Sequence, residues 1–252
     1  MSLTGRRIAI TRPASSCVAL AARLEEAGAS VLVAPAIHRG PPSSWERLDA
    51  GVATLAAGGY DGVLFTSPAA VPPFCDRLAG LDVLRSVRVG AVGPGTSAAL
   101  AARGIEASIV PSREDGASLA AEVASAFGTR LAGARFLQPR AEEGREELSV
   151  GLAARGATVD VVPAYRTTPA TAEALWPLVE ELRAGLCDVV LFASPSAVNA
   201  VLDVATDLGA AMAVAIGETT AGALRERRIG SVFVAATADD DGLLGAVRAA
   251  LV

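Results

Sequence analysis

Asp61–Val71 reads DGVLFTSPAAV, and Asp188–Val198 reads DVVLFASPSAV. Each stretch is a short, wholly apolar run that ends in a hydroxyl or small residue, then Ser-Pro, then small helix-forming residues. An unbroken apolar run of this length suits a strand covered on both faces, which is the habit of parallel sheets. Serine is a strong N-cap and proline is favoured at the first helical position, so Ser67-Pro68 and Ser194-Pro195 predict helices that start where strands end. Two such corners, 127 residues apart, predict one device used twice.

The remaining chain follows the same alternation. RIAIT, SVLVAP, VGAVG, ASIVP, RFLQP, TVDVVPAY, AVAIG and SVFVA read as strands. Helical patterns are expected near residues 15–27, 68–78, 96–103, 117–127, 144–155, 195–208, 219–228 and 240–251. Regular β-α alternation predicts an α/β, doubly wound, parallel-sheet fold. The 252 residues, 52% of them hydrophobic, suffice for two ordinary domains.

An internal duplication sets how those domains are assembled. RRIAITRPASSCVALAARLEEAGASVLVAPAIHR aligns without a gap on ARFLQPRAEEGREELSVGLAARGATVDVVPAYR, placing Gly28 on Gly156, Pro35 on Pro163 and Arg12 on Arg140. A second unit repeats Ser67 as Ser194, and AVGPGTSAAL as AIGETTAGAL. The order is short, long, short, long. One short and one long unit together give about five strands, a complete small doubly wound sheet. The repeat alone allows sequential or nested pairing of the units. Both short units end in proline-flanked segments, APAIHRGPP and VPAYRTTP. These read as extended connectors, because proline disfavours helix at the residue before it.

Composition excludes several chemistries. All 22 basic residues are Arg, so Schiff-base chemistry on lysine is impossible. His38 is the sole histidine, which rules out a multi-histidine zinc site and leaves a Ser-His triad one candidate. Cys17, Cys75 and Cys187 match no metal or redox spacing and read as small buried residues. A net charge of −5 and a pI of about 5.1 argue against a nucleic-acid partner. No apolar stretch is long enough to span a bilayer, and the start MSLTGRR lacks the apolar core of a signal peptide; a cytoplasmic protein is expected.

The candidate site residues lie at strand ends. Open α/β sheets bind ligands there, and free N–H groups with the helix dipole favour anions. Ser67, Ser194, Arg12 and Arg140 fit that place. GPGTSA (Gly93–Ala98) matches G-x-G-x-x-A, with Asp115 twenty residues after Gly95, and invites a dinucleotide reading. Pro94 removes an N–H from that cradle, and the copy GETTAG introduces Glu218, which repels phosphate. Both copies keep a hydroxyl at the helix start: Thr96 in one, Thr219 or Thr220 in the other. Tyr165, in the second connector, can present a phenol as hydrogen-bond donor or weak acid.

Taken in order, ITRP, FTSPAAV, AVGPGTSAAL, RAEEGREEL, PAYRT, FASPSAV and AIGETTAGAL resemble the uroporphyrinogen-III synthase family over essentially the whole chain. One departure is Ala69, where an asparagine is common in the family. The resemblance implies two flavodoxin-like domains joined by a two-stranded linker: residues 1–36 with 169–252, and an inserted 41–164, with 37–40 and 165–168 as linkers. It implies an active site in the cleft between domains, and closure of hydroxymethylbilane to uroporphyrinogen III, with loss of water and inversion of the last pyrrole through a spiro intermediate. No cofactor and no metal are implied. Tyr165 is then expected to assist departure of the substrate hydroxyl. Arg12, Ser67, Thr96, Arg140, Ser194, Thr219 and Thr220 are expected to hold a ligand with eight carboxylates. A monomer is expected, with at most a transient contact to the preceding pathway enzyme. The competing expectations are a two-lobed binding or regulatory protein without turnover, and a dinucleotide-dependent oxidoreductase.

Overall fold

The computed structural model describes residues 2–252. In chain order the strands are β1 (Arg7–Ile10), β2 (Ser30–Val33), β3 (Ile37–Gly40), β4 (Gly62–Phe65), β5 (Arg88–Ala91), β6 (Arg135–Ala141), β7 (Thr158–Pro169), β8 (Val189–Phe192), β9 (Met212–Ala215) and β10 (Val232–Val234). The helices are α1 (Val18–Glu26), α2 (Glu46–Ala56), α3 (Val71–Cys75), α4 (Pro94–Ala101), α5 (Gly116–Phe127), α6 (Glu147–Ala153), α7 (Ala172–Arg183), α8 (Pro195–Ala205), α9 (Glu218–Glu226) and α10 (Asp240–Ala250). The chain divides into two compact units. One holds residues up to His38 together with Thr168–Val252, and the other holds Arg39–Thr167.

The first unit carries the sheet β10-β9-β8-β1-β2, parallel throughout. Numbered within the unit this is the order 2-1-3-4-5 of flavodoxin-like folds. β1 joins a strand some 180 residues away, with Ile8 opposite Val189 and Ile10 opposite Leu191. β8 (VVLF) is buried at every position, as its apolar run predicts. One face packs Val190, Phe192 and Ala9 under α7 and α8, with Leu175, Leu178, Val198 and Val201. The other packs Ile8, Ile10 and Leu191 against Leu20, Leu24 and Val247 of α1 and α10.

The second unit carries β3-β7-β6-β4-β5. Set beside the duplication, the order from β7 to β5 repeats the order from β2 to β9. The last strand of the repeat survives here only as a bridge between Gly90 and Ile109. The short unit β6-α6-β7 therefore completes the long unit that precedes it, and β1-α1-β2 completes the last one. The pairing is nested. β4 (GVLF) is again buried throughout. Phe65 meets Phe74 edge-on at 5.3 Å on one face, and Phe136 meets Phe127 at 5.0 Å on the other. Each such ring contributes on the order of 2–3 kcal/mol through burial.

The repeated glycines have a local cause. Gly28 and Gly156 take φ of +98° and +86°, the left-handed turn that closes α1 and α6. Behind them Ala29 N–H reaches Leu24 C=O (3.0 Å) and Ala157 N–H reaches Leu152 C=O (3.2 Å). These are the i to i−5 bonds of a Schellman stop.

Besides the strand expected at ASIVP, two expected helices need correction. The helix expected over 68–78 is a 3-10 turn, Pro68–Ala70, followed by the five-residue α3. Pro72 and Pro73 remove two consecutive N–H donors, so a regular helix cannot propagate. The helix expected over 144–155 is Glu147–Ala153 only.

Tyr60 yields a measurable consequence of packing in the second unit. Its ring is 7% exposed and lies under the Arg135 guanidinium at 5.2 Å. Its hydroxyl donates to Asp160 Oδ2 at 2.6 Å. Burial and the Asp160 carboxylate push the phenol up to about 12. The folded value lies above the unfolded one near 10, so this contribution is intact below pH 10 and is lost as pH rises from 10 to 12. Alkaline absorbance titration should show one of the two tyrosines ionising late, and Tyr60→Phe should abolish that step. Chemical denaturation should show at most about 2 kcal/mol lost across the same interval in the parent and less in the variant.

Candidate active site

Doubly wound sheets reverse their building direction between two neighbouring strands, and ligands sit beyond the carboxyl ends there. In the first unit those strands are β1 and β8, with Arg12 and Ser194 each two residues past the strand end. In the second they are β6 and β4, with Arg140 the last residue but one of β6 and Ser67 two residues past β4. The four residues picked from the duplication thus stand at equivalent switch points, one pair per unit.

The two switch points differ in chemistry. In the first unit Ser194 caps the eleven-residue α8, its Oγ accepting Ala197 N–H at 3.2 Å. Arg12 is committed to Asp240, with Nη1 donating to Oδ1 at 2.7 Å and both side chains partly buried. Asp239, which caps α10 by accepting Gly242 N–H (2.8 Å), has its carboxyl held below the ordinary range by that bond. Arg12 therefore ties β1 to the start of α10. Thr219 is exposed in the first turn of α9, but Thr220 is 3% exposed and faces inward.

In the second unit the switch point opens on a cavity of about 380 Å³, lined by Thr66, Ser67, Arg140, Arg145, Tyr165 and Thr167 and also by the acids Glu114, Asp115, Glu143 and Glu147. Tyr165 O–H donates to Ser67 Oγ at 3.1 Å. Ser67 Oγ also accepts Ala69 N–H at 3.2 Å. β7 brings the phenol here: it runs twelve residues, through the expected connector, and shifts register against β6 between Arg140 and Ala141. Arg140 is less committed than Arg12. Its Nη1 donates to the Arg145 carbonyl at 3.2 Å, its nearest carboxylate oxygen, on Glu146, is at 3.9 Å, and its buried Nε has no partner. With Arg145, it gives the cavity wall two guanidinium groups that have unused hydrogen-bonding capacity among the described residues.

Thr96 is 2% exposed and sits in the first turn of α4, away from the cavity wall. The dinucleotide reading loses its cradle in the same place. A side chain on Gly93 would meet the Glu114 carboxylate at 2.5 Å, so an acid already covers the helix start where a phosphate would lie. Asp115 is spent as the cap of α5. It accepts Ser118 N–H at 2.6 Å, which holds its carboxyl below the ordinary range. Burial pushes the Cys187 thiol up to about 11 and raises Cys17 and Cys75 too, so none is a ready nucleophile. No group of metal-ligating side chains occurs among the described residues.

Sequence reasoning missed Thr66 and Gln138. Gln138 is 1% exposed, reaches Thr66 Oγ1 with its amide N at 3.5 Å, and leaves its buried Oε1 without a partner. The signal was present. Gln138 falls opposite Ile10 in the duplication, and a polar residue in a buried strand position needs a reason.

The contrast between the arginines is testable by stability. Asp240→Asn should cost about 1–2 kcal/mol, lowering the melting temperature by about 3–6 °C. Glu146→Gln, which removes only the 3.9 Å contact to Arg140, should leave it within about 1 °C. Thermal unfolding followed by circular dichroism measures both.

Comparison with known proteins bears on the family and the fold. The family model described as "Uroporphyrinogen-III synthase HemD" matches residues 18–245. A uroporphyrinogen-III synthase of Synechococcus elongatus is 36% identical over 169 residues, spanning 66% of this chain and 62% of that protein. One from Chlorobaculum parvum is 28% identical over 89% of this chain and 90% of its own length. Solved structures of uroporphyrinogen III synthase from Thermus thermophilus and of its counterpart from Helicobacter pylori share the fold, each with a TM-score of 0.66, at 23% and 18% identity, over 98% and 97% of this chain and 98% and 99% of theirs. With the duplicated switch points, the matched family model and the shared two-sheet fold, the chain belongs to the uroporphyrinogen-III synthase family.

Proposed function

We propose that this protein converts hydroxymethylbilane to uroporphyrinogen III, with loss of the terminal hydroxyl as water, ring closure, and inversion of the last pyrrole. The observation that carries the reading is the Tyr165–Ser67 hydrogen bond on the wall of a switch-point cavity that also holds Arg140. A linear tetrapyrrole bearing eight carboxylates needs several donors and at least one cation. Arg140 offers a guanidinium with unmet hydrogen-bonding capacity, and Ser194 and Thr219 offer hydroxyls at helix starts in the first unit. Arg12 acts here as a structural tie rather than a ligand contact, and Thr96 and Thr220 shape their helix starts from inside.

The chemistry asks little of the side chains. The substrate loses its hydroxyl readily because a pyrrole nitrogen lone pair assists the departure, and the free closure gives the uninverted isomer. What the protein must add is a fixed conformation and a proton for the leaving oxygen. Tyr165 supplies that proton in this reading. The strand-end hydroxyls and Arg140 hold the chain of rings so that the last one reacts through its substituted carbon. No step calls for a metal or a cofactor.

Incubation with hydroxymethylbilane, followed by separation of the I and III isomers, tests the reading. Isomer III should dominate; isomer I alone would reject it. Tyr165→Phe should lower kcat about tenfold to a hundredfold. Arg140→Ala should raise KM about tenfold, the loss of one charge-assisted contact of about 1.5 kcal/mol.

A further inference from the structure

Building on the reaction proposed above, we infer that Ser67 is the catalytic residue that hands the proton to the departing hydroxyl, and that Tyr165 acts through it as the proton reservoir. Hydrogen-bonding capacity sets the two roles. Tyr165 has one proton, and it is directed at Ser67 Oγ, 3.1 Å away. A phenol is a far stronger acid than an aliphatic alcohol, so the phenol is the donor in this pair. Ser67 Oγ takes a second donor, Ala69 N–H at 3.2 Å. A hydroxyl oxygen has two lone pairs, and both are now engaged. The Ser67 proton has no acceptor among the hydrogen bonds of the described residues, while the residue lines the 380 Å³ cavity. Two donors on one oxygen polarise its own O–H, which makes it a better acid than an isolated serine.

The counterpart residue sharpens the assignment. Ser194 Oγ accepts only Ala197 N–H and meets no phenol. It caps a full helix, whereas Ser67 precedes a three-residue 3-10 turn with little dipole to offer an anion. A capping, anion-holding role suits Ser194. Ser67 has lost the helix and gained the tyrosine.

The substrate C–O bond breaks, and its electron pair leaves with oxygen. The Ser67 proton completes a water molecule, and the pyrrole nitrogen lone pair stabilises the cation left behind. The Tyr165 proton passes to Ser67, leaving a phenolate. When the attacked pyrrole regains aromaticity it releases a proton, which returns to Tyr165. The net change is the loss of one water.

Single-turnover formation of isomer III by the parent, Ser67→Ala, Tyr165→Phe, the double variant and Ser67→Thr tests the relay. Ser67→Ala should lower the rate constant about as much as Tyr165→Phe. The double variant should fall no more than about twofold below either, and KM should move less than threefold. Ser67→Thr, which restores a hydroxyl, should recover most of the rate, and this separates chemistry from misfolding. In H₂O–D₂O mixtures the parent rate should bow with deuterium fraction, as two protons move together, and Tyr165→Phe should give a straight line. A Ser67→Ala variant with raised KM and intact rate constant, losses that multiply in the double variant, or a straight line for the parent would each overturn the relay alone. Isomer I alone from the parent would overturn the reaction itself and the relay with it.

Discussion

Each sheet depends on one long-range pairing. β1 lies beside β8, and β6 lies beside β4, in parallel and at closely matching register. Those contacts close a loop of about 180 residues in the first unit and about 70 in the second, yet they are made from four-residue apolar runs buried on both faces. Burial repays the chain entropy of closure, and closure costs little more as the loop lengthens. The same pairing opens a crevice, because the chain builds outward from it in both directions. Strand-end residues at this point have no neighbouring crossover above them, which leaves Arg12, Arg140, Ser67 and Ser194 free to take on other work.

The two copies have spent that freedom differently. In the first unit Arg12 is closed off by Asp240, and Ser194 begins a regular helix that shields β8. In the second, Pro72 and Pro73 break the helix after Ser67, and β7 carries Tyr165 to within hydrogen-bonding distance. Arg140 keeps unpartnered capacity. The copy with more internal satisfaction is suited to binding and stability. The copy with unmet hydrogen-bonding demand is suited to chemistry, since a group that must reach for a ligand cannot also be fully satisfied without one.

Much of this was legible in the sequence, for reasons that can be named. Apolar runs, Ser-Pro corners and the paired Gly28 and Gly156 report local geometry, and local geometry is set by neighbours in the chain. The duplication brought out equivalent positions even where single motifs were weak. The nested pairing followed from the family resemblance, not from the repeat, because either pairing buries the same residues. The Arg12–Asp240 tie spans 228 residues and the Tyr165–Ser67 bond spans 98. Nothing local marks which residue pairs with which, so the sequence offered Arg12 and Ser67 alike as ligand contacts and showed neither partner. Thr96 and Thr220 are buried, and the sequence hid that for a different reason. One step of helical rotation turns a side chain from solvent to core, and the small residues around Thr96 give no amphipathic signal to tell the faces apart.

The absence of lysine, and a single histidine at an exposed position of β3, make sense with the proposed chemistry. The substrate needs only modest acid assistance to lose its hydroxyl, and premature loss gives the uninverted ring. A strong, always-available acid would fire before the last pyrrole is folded into place. A serine hydroxyl polarised by a phenol and a backbone N–H is too weak an acid to act in open water. It becomes effective when ligand fills the cavity and excludes solvent, because hydrogen bonds strengthen as the local dielectric falls. Proton delivery is then coupled to occupancy and to conformation, and the selectivity between isomers comes from the order of events. On this view weak donors at the end of β4 are the requirement, and the buried Gln138 amide, held beside Thr66 where its repeat partner is a plain isoleucine, marks how much polarity the second unit has drawn beneath that corner.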